Sequence, residues 1–79
     1  MTVYPNPVQE VLQVNLSLKK ETDVEYVMTD ITGRVVYYDM STAVRQEEAT
    51  IDIGRLSAGT YLVTIKTTKG TLTKRFVKL

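Results

Sequence analysis

The sequence predicts an all-β fold, an antiparallel β-sandwich of about seven strands in two sheets. Three observations lead to this prediction. Apolar and polar residues alternate at period two through most of the 79 residues, turn signals recur at about every 8 to 12 residues, and no stretch has the spacing of an amphipathic helix. A small barrel is the coarse alternative. In either case the chain is long enough for one domain only.

The N-terminal residues predict a stiff start to the domain. Val3 and Tyr4 can at most begin an edge strand, because Pro5 and Pro7 lack the amide hydrogen that a ladder needs. Asn6 precedes Pro7, and this position favours extended geometry. We therefore expect an extended, rigid segment before the first long strand.

Clean alternation marks the next two predicted strands. The even positions of residues 12–18 are apolar and the odd positions are polar, and the even positions of residues 24–28 are again apolar. A charged turn is expected between them at residues 19–21. A hairpin turn should follow, with Asp30 accepting bonds from local amides and Gly33 free to take positive φ.

The middle of the chain is less regular. Residues 34–40 predict a strand that is apolar on both parities, so both of its faces are expected to be partly covered. Residues 41–48 are polar and charged without a sustained period, which predicts a connection that crosses between the sheets, with Ala43 and Val44 as a candidate short strand. Residues 49–53 then place Ile51 and Ile53 on the inner side of a further strand.

The most strand-like run of the sequence follows the turn at residues 56–60. Tyr61, Val63 and Ile65 share one face of this run, and Gly59 lies two residues before Tyr61. That spacing resembles the tyrosine corner of immunoglobulin-like sandwiches, in which a glycine permits a tight bend and the tyrosine hydroxyl bonds to an upstream backbone carbonyl. The plainer interpretation is that Gly59 and Tyr61 are the turn and core residues of any β protein.

The last predicted strand, residues 71–78, follows a hairpin turn at residues 67–70. One parity of this strand carries two apolar residues and two lysines: Leu72, Lys74, Phe76 and Lys78. A bulge, or an edge position at which the lysines reach past the core to water, would reconcile this mixture.

The composition argues against catalysis. The chain has no cysteine and no histidine, which removes thiolate chemistry, the usual general base near neutral pH and the commonest zinc ligand. Two carboxylate pairs, Asp23/Glu25 and Glu47/Glu48, lie in predicted turns or on wet faces and are expected to be solvated surface charge. No phosphate-binding loop, nucleophile motif or calcium loop is present. We expect no catalytic residue, no metal site and no cofactor.

Charge is distributed unevenly along the chain. Residues 55–79 carry six basic residues and no acid, whereas residues 1–54 carry four basic and nine acidic residues. Basic residues near Phe76 would permit phosphate contacts and stacking, but a net charge of +1 is too small for a typical nucleic-acid domain, so no nucleic-acid partner is expected. Two interpretations stay open: lysines that discourage aggregation at a sheet edge, and docking onto an acidic partner.

Four short motifs fill nearly the whole chain in order: Tyr4-Pro5-Asn6-Pro7, Asp30-Ile31-Thr32-Gly33-Arg34, Leu56-Ser57-Ala58-Gly59-Thr60-Tyr61 and Lys74-Arg75-Phe76-Val77-Lys78. Together they resemble the C-terminal sorting domain of cargo proteins of the type IX secretion system. The resemblance implies an immunoglobulin-like sandwich of about seven strands. It also implies that residues 1–79 are one domain, placed last in a larger precursor.

The same resemblance implies partners and a route. The domain would follow a covalently attached N-terminal cargo, act as an address for the outer-membrane translocon, and be cut off by a sortase-like cell-surface protease. The cargo would cross the periplasm and finish at the outer membrane and cell surface or be secreted, in many cases joined to an anionic lipopolysaccharide. Whether such a domain dimerises through its edges stays open.

The resemblance further assigns roles to residues. The motif and structural residues would be Pro5, Asn6, Pro7, Asp30, Gly33, Leu56, Gly59 and Tyr61. The terminal strand recognised by the translocon would be Lys74, Arg75, Phe76, Val77 and Lys78. The ends of the chain depart from the family pattern. Family chains commonly end at or just after the last lysine, so Leu79 is either native or an addition, and Met1 is expected to be a start methionine added before the domain.

A sorting tag needs a stable shape, exposed edges and an accessible terminus, and no catalytic group. We expect the translocon to read the last strand by strand addition or edge contact, assisted by its lysines. The alternative function is a stand-alone immunoglobulin- or fibronectin-like module that binds protein or carbohydrate. Such modules usually present an aromatic platform or long loops, whereas four of the five tyrosines here lie in predicted strands and the predicted loops are short.

Overall fold

The computed structural model describes residues 1–79 as five β-strands without a helix. The strands are β1 (Thr2–Tyr4), β2 (Val11–Asp30), β3 (Val35–Asp52), β4 (Gly59–Thr67) and β5 (Gly70–Lys78). Every ladder between them is antiparallel. The predicted all-β antiparallel fold is confirmed. The expected number of separate strands is corrected to five, because two long strands take the place of several short ones.

The long strands β2 and β3 form the centre of the fold. They pair with each other along most of their length, but the two parts of β2 have different partners on the opposite side. Residues 13–15 pair with β1, whereas residues 25–30 pair with β4. The strand order is therefore β1-β2-β4-β5, with β3 attached to β2. This arrangement places β5, the terminal strand, at one end of the order.

An irregularity separates the two parts of β2. Between the ladder pairs Ser17–Gln46 and Thr22–Val44, four residues of β2 lie opposite a single residue of β3. The turn expected at residues 19–21 falls at this point but is part of β2. Its charged, turn-like composition therefore produces a shift in register rather than a chain reversal.

A second register shift, between the pairs Thr22–Val44 and Val24–Ser41, accompanies another difference from the expected course of the chain. Residues 41–48, expected to be a connection between sheets, belong to β3. Ala43 has a φ of 53°, and its N–H donates to Asp23 Oδ1 at 3.2 Å. A side-chain carboxylate thus supports the backbone where the regular ladder is interrupted, and the strand continues through residues that sequence pattern alone assigns to a loop.

A single apolar core draws on both parts of the long strands. Its fourteen buried side chains are Val8, Leu12, Val14, Leu16, Val24, Tyr26, Met28, Val44, Ile51, Ile53, Tyr61, Val63, Ile65 and Phe76. The inward faces predicted for β2, for β4 and for Ile51 and Ile53 are confirmed. In the first part of β3, Val36 and Tyr37 are half-buried while Val35 and Tyr38 are exposed, so neither face of that segment is fully covered.

One polar contact lies at the boundary of the core. The Tyr26 hydroxyl donates to Glu47 Oε1, and the same oxygen accepts from Ser41 Oγ at 3.2 Å. The expectation that Glu47 is merely solvated surface charge is therefore wrong, since Glu47 is half-buried and hydrogen-bonded. Burial, followed by the bond to the Glu47 carboxylate, raises the pKa of Tyr26 above its ordinary value.

The raised pKa of Tyr26 predicts that alkali weakens the fold. Folded Tyr26 keeps its proton above the pH of about 10 at which an unfolded tyrosine ionises, so its contribution is complete below about pH 10 and is lost as pH rises through the folded pKa. Urea unfolding at a series of pH values should show the free energy of unfolding falling above about pH 10. Tyr26→Phe should make that decline shallower and cost about 1 kcal/mol at neutral pH.

Tyr38→Phe is the control for this experiment. The bond from the Tyr38 hydroxyl to Glu25 Oε1, at 2.7 Å, also raises the pKa of Tyr38, but the Tyr38 side chain is largely exposed. Tyr38→Phe should therefore change the loss of folding free energy above about pH 10 less than Tyr26→Phe does. If the free energy of unfolding falls equally steeply with pH in wild type and in Tyr26→Phe, the pH dependence does not come from Tyr26.

Candidate recognition site at the terminal strand

Only one long edge of β5 is paired with another strand. β5 pairs with β4 from Gly70 opposite Thr67 to Lys78 opposite Gly59. In an antiparallel ladder, residues that bond to the partner strand alternate with residues whose N–H and C=O point away. Val77 makes its main-chain bonds on the side opposite β4. The odd-numbered residues of β5 therefore direct their backbone groups outward.

The proline-rich start of the chain covers the last part of this outward edge. Asn6 Oδ1 accepts from the Val77 N–H at 3.0 Å, and Asn6 Nδ2 donates to the Arg75 C=O at 3.4 Å. Next to it, the Val8 N–H donates to the Val77 C=O and the Val8 C=O accepts from the Leu79 N–H, both at 2.9 Å. We name these four bonds the Asn6 clamp. The Asn6 amide thus bonds to β5 as a neighbouring strand would.

The clamp explains why the predicted extended geometry of this segment is wrong. Residues 5–7 bend, and the peptide bonds before Pro5 and Pro7 are both cis. Neither proline has an N–H to offer, so Asn6 supplies its side-chain amide and Val8 supplies its main chain. Val8 is 1% exposed and forms a parallel bridge with Lys78. Sequence reasoning missed Val8, although an apolar residue directly after the prolines was a usable signal.

Tyr61 makes the corner that its spacing from Gly59 predicts. Its hydroxyl donates to the Ser57 C=O at 2.6 Å, which confirms the expected bond to an upstream carbonyl. The Tyr61 ring stacks on Phe76 of β5, with centroids 5.7 Å apart and planes 21° from parallel. Leu56 packs against the same core. The corner therefore fixes the start of β4, to which the end of β5 is paired.

The hairpin turn between β2 and β3 also has the predicted chemistry. Gly33 has a φ of +90°, a region that glycine occupies without strain. Asp30 Oδ1 accepts from the Thr32 N–H at 2.9 Å, the Thr32 hydroxyl at 2.6 Å and the Arg34 N–H at 3.1 Å. The hydroxyl bond, together with these amides and the Arg34 charge, lowers the pKa of Asp30. Asp30 and Gly33 therefore have a structural role.

The four sequence motifs converge on one end of the sheet. Asp30 of β2 pairs with Tyr61 of β4, and Tyr61 pairs with Phe76 of β5. Asn6 then bonds to the residues on either side of Phe76. Motifs that lie up to 71 positions apart in sequence are thus adjacent in space. Pro5, Pro7, Gly33 and Gly59 shape the chain around this row, and all four are exposed.

Burial divides the five expected recognition residues of β5 into two groups. Phe76 is fully buried, and Lys78 is only 8% exposed, with its Nζ donating to the Leu79 main-chain oxygen at 2.8 Å. Lys74, Arg75 and Val77 are exposed. Phe76 and Lys78 therefore anchor the strand, and a partner can reach the other three side chains directly.

The exposed side of the terminal hairpin is positively charged. Lys66, Lys69, Lys74 and Arg75 are exposed, and residues 53–79 contain no Asp or Glu. The structure holds one salt bridge, from Arg34 to Asp30, so the charges of the hairpin have no acidic partner within the chain. No group of three or more acidic side chains is placed to hold a metal ion. No membrane-spanning helix is found.

We predict that the Asn6 amide protects the Val77 N–H. Asn6→Ala removes both side-chain bonds of the clamp, so the Val77 amide should exchange with solvent roughly two- to tenfold faster, as expected for one lost hydrogen bond. The free energy of unfolding should fall by about 1 kcal/mol because the freed groups lie at an exposed edge where water can replace Asn6. Amide exchange by NMR and urea unfolding measure the two effects.

Asn6→Asp is the matched control for the clamp. The carboxylate keeps an acceptor for the Val77 N–H but loses the donor to the Arg75 C=O, so Val77 should stay protected in this variant. Unchanged exchange at Val77 in Asn6→Ala would show that the Asn6 amide does not hold the strand.

Residues 2–79 match the family model described as "Secretion system C-terminal sorting domain". No curated protein matches the chain, and no solved structure does. Domains of this family are sorting signals for type IX secretion, are in general non-catalytic, and mark a cargo protein for secretion or the cell surface. The resemblance carried by the four motifs is confirmed over the full match. The chain therefore belongs to the family of type IX secretion C-terminal sorting domains.

Proposed function

We propose that this domain is the C-terminal sorting signal of a longer cargo precursor and that the type IX translocon recognises the exposed side of β5. The observation that supports this most directly is the division of β5 into anchored and exposed residues. Phe76 and Lys78 hold the strand, while Lys74, Arg75 and Val77 face solvent. A strand fixed in this way presents its side chains at low entropic cost to a partner.

The Asn6 clamp limits the ways in which a partner can recognise the tail. Strand addition along residues 75–79 would compete with Asn6 and Val8, which already bond to the outward backbone groups there. Recognition of this part is therefore proposed to use side chains on the outer face of the sheet. Arg75 lies beside Leu62 in the ladder and Val77 beside Thr60, which places a cation next to apolar and β-branched surface.

We further propose that the five strands form an immunoglobulin-like sandwich of about seven segments, in which β2 and β3 each contribute to both sheets. Three findings support this: the register shift between the two parts of β2, their different partners, and the shared core. NMR contacts between methyl groups of Val14 and Val63 would be found in a sandwich. They would be absent from a single open sheet.

The finer steps of the route are also proposals. The cargo would be attached before β1 and cross the periplasm with this domain. A sortase-like protease would then cut N-terminal to β1, and the released cargo would be attached at the cell surface. A cut there would leave the Asn6 clamp intact, because the clamp begins after β1 ends at Tyr4. Mass spectrometry of the released cargo tests this step, and a cleavage site within residues 4–8 would contradict it.

Export of a reporter protein fused before residue 2 tests the recognition of β5. In a host with a type IX system, removal of residues 77–79 should abolish export of the reporter. Replacing Lys74 and Arg75 together by glutamine should reduce export severalfold without unfolding the domain, because both side chains are exposed. Secreted and cell-associated reporter are measured by immunoblot.

Lys19→Gln with Lys20→Gln is the matched control. It removes the same charge from two exposed residues of β2, outside the terminal strand, and should leave export unchanged. Thermal unfolding of each variant separates lost recognition from lost folding. Normal export of a folded Lys74→Gln/Arg75→Gln variant would exclude these side chains from recognition, and normal export after removal of residues 77–79 would refute recognition of the tail.

A further inference from the structure

The first part of the outer edge of β5 has no partner in the chain. The Asn6 clamp ends at the Arg75 C=O, and the main-chain bonds outside the regular strands include none to Thr71 or Thr73. By the alternation established at Val77, both threonines direct their N–H and C=O groups away from β4. The N–H of Arg75 is also directed outward. Residues 70–74 are thus a short open strand edge, which we name the open edge.

Cations border the open edge at both ends. Lys69 precedes it, and Lys74 and Arg75 close it. Because no carboxylate in β4 or β5 balances these charges, the potential along the open edge is positive.

The two faces next to the open edge further define the segment that would fit. On one face Leu72 is 50% exposed and Lys74 is exposed, because the core covers this parity only from Phe76 onward. On the other face stand Thr71 and Thr73. An added strand would therefore meet an apolar side chain and a cation on one side and two hydroxyls on the other.

We propose that the open edge binds an extended acidic segment of the secretion machinery by strand addition, an inference that rests on the proposed function of β5. The added strand bonds to the outward groups of Thr71 and Thr73 and ends where Asn6 occupies the Arg75 C=O. Its carboxylates lie on the face that carries Thr71, Thr73 and Arg75, and its apolar residues lie on the face that carries Leu72. The clamp thus determines where along β5 the partner strand stops.

The long edge of β3 is a poorer site for this partner. It carries Asp39, Glu47, Glu48 and Asp52, so it repels an acidic strand. The left-handed backbone at Ala43 also interrupts its regular course. A basic segment, or the open edge of a second copy of this chain, would suit that edge better, and the experiment distinguishes these cases.

Amide exchange of the whole 79-residue chain with a model peptide tests the proposal without any secretion machinery. The probe is a blocked six-residue peptide of alternating valine and glutamate. At saturating peptide, the N–H groups of Thr71 and Thr73 should exchange roughly two- to tenfold more slowly, as expected for one added hydrogen bond each. Val77, already bonded to Asn6, should change little.

Two control peptides separate strand addition from charge attraction. The same acidic peptide with alternate N-methylated amides keeps its charge but loses the donors of a strand, and it should not protect Thr71 or Thr73. A peptide of alternating valine and lysine should not protect Thr71 or Thr73. Protection of these residues by the N-methylated peptide, equal protection by the basic peptide, or no protection by the acidic peptide would overturn the proposal.

Variants of Thr73 provide a second test. Thr73→Pro removes an outward N–H without removing a bond to β4, and it should abolish the protection of Thr71. Thr73→Val loses the hydroxyl that bonds to Thr64 at 3.1 Å but keeps the N–H, and it should still bind the peptide. If Thr73→Pro does not fold, the N-methylated peptide still decides the question.

Two further outcomes would reassign the open edge. If the acidic peptide slows amide exchange only in β3, it binds that strand and not the open edge. If the exchange of Thr71 and Thr73 slows as protein concentration rises without peptide, a second copy of the chain occupies the open edge. Either result would overturn this proposal and leave the recognition of Arg75 and Val77 unaffected. A failed reporter export with intact peptide binding would instead count against the proposed function.

Discussion

The structure depends on the pairing of the first residues of the domain with the last. A terminal strand that bonds on one side only leaves half of its backbone groups to water, and its end frays easily. Here the clamp formed by Asn6 and Val8 satisfies the C=O of Arg75, both outward groups of Val77 and the N–H of Leu79. The two prolines beside Asn6 cannot donate a main-chain bond, so the side-chain amide substitutes for the missing N–H. The shape of the tail is therefore set by residues at the other end of the sequence.

This constraint explains why weak motifs become informative together. Each one secures a different contact of the same row: Asp30 orders the turn beside Tyr61, Tyr61 stacks on Phe76, and Asn6 bonds to both neighbours of Phe76. Loss of one contact would loosen the presentation of the others, since neighbouring interactions are coupled.

How well the sequence predicts a contact depends on how many positions along the chain separate the two residues that make it. Gly33, Asp30 and Tyr61 act on residues at most four positions away, and the chemistry predicted for each of them is found. Asn6 acts on Val77 across 71 positions, and no local pattern contains that information. The charged stretch in β2 was expected to reverse the chain, because composition cannot distinguish a turn from a register shift that a neighbouring strand supports. Glu47 was misjudged for the same reason: its partner Tyr26 lies on another strand.

The positive charge on the terminal hairpin has two effects. A short edge flanked by lysines repels an identical edge, which limits pairing between copies of a domain that carries an open strand. The same charge attracts an acidic segment and steers its approach, most strongly at low salt. Protection from aggregation and docking onto an acidic partner, which the composition left as alternatives, are therefore compatible. The division of β5 reinforces this, because Phe76 and Lys78 stabilise the fold while Thr71, Thr73 and Arg75 keep outward backbone groups for a partner.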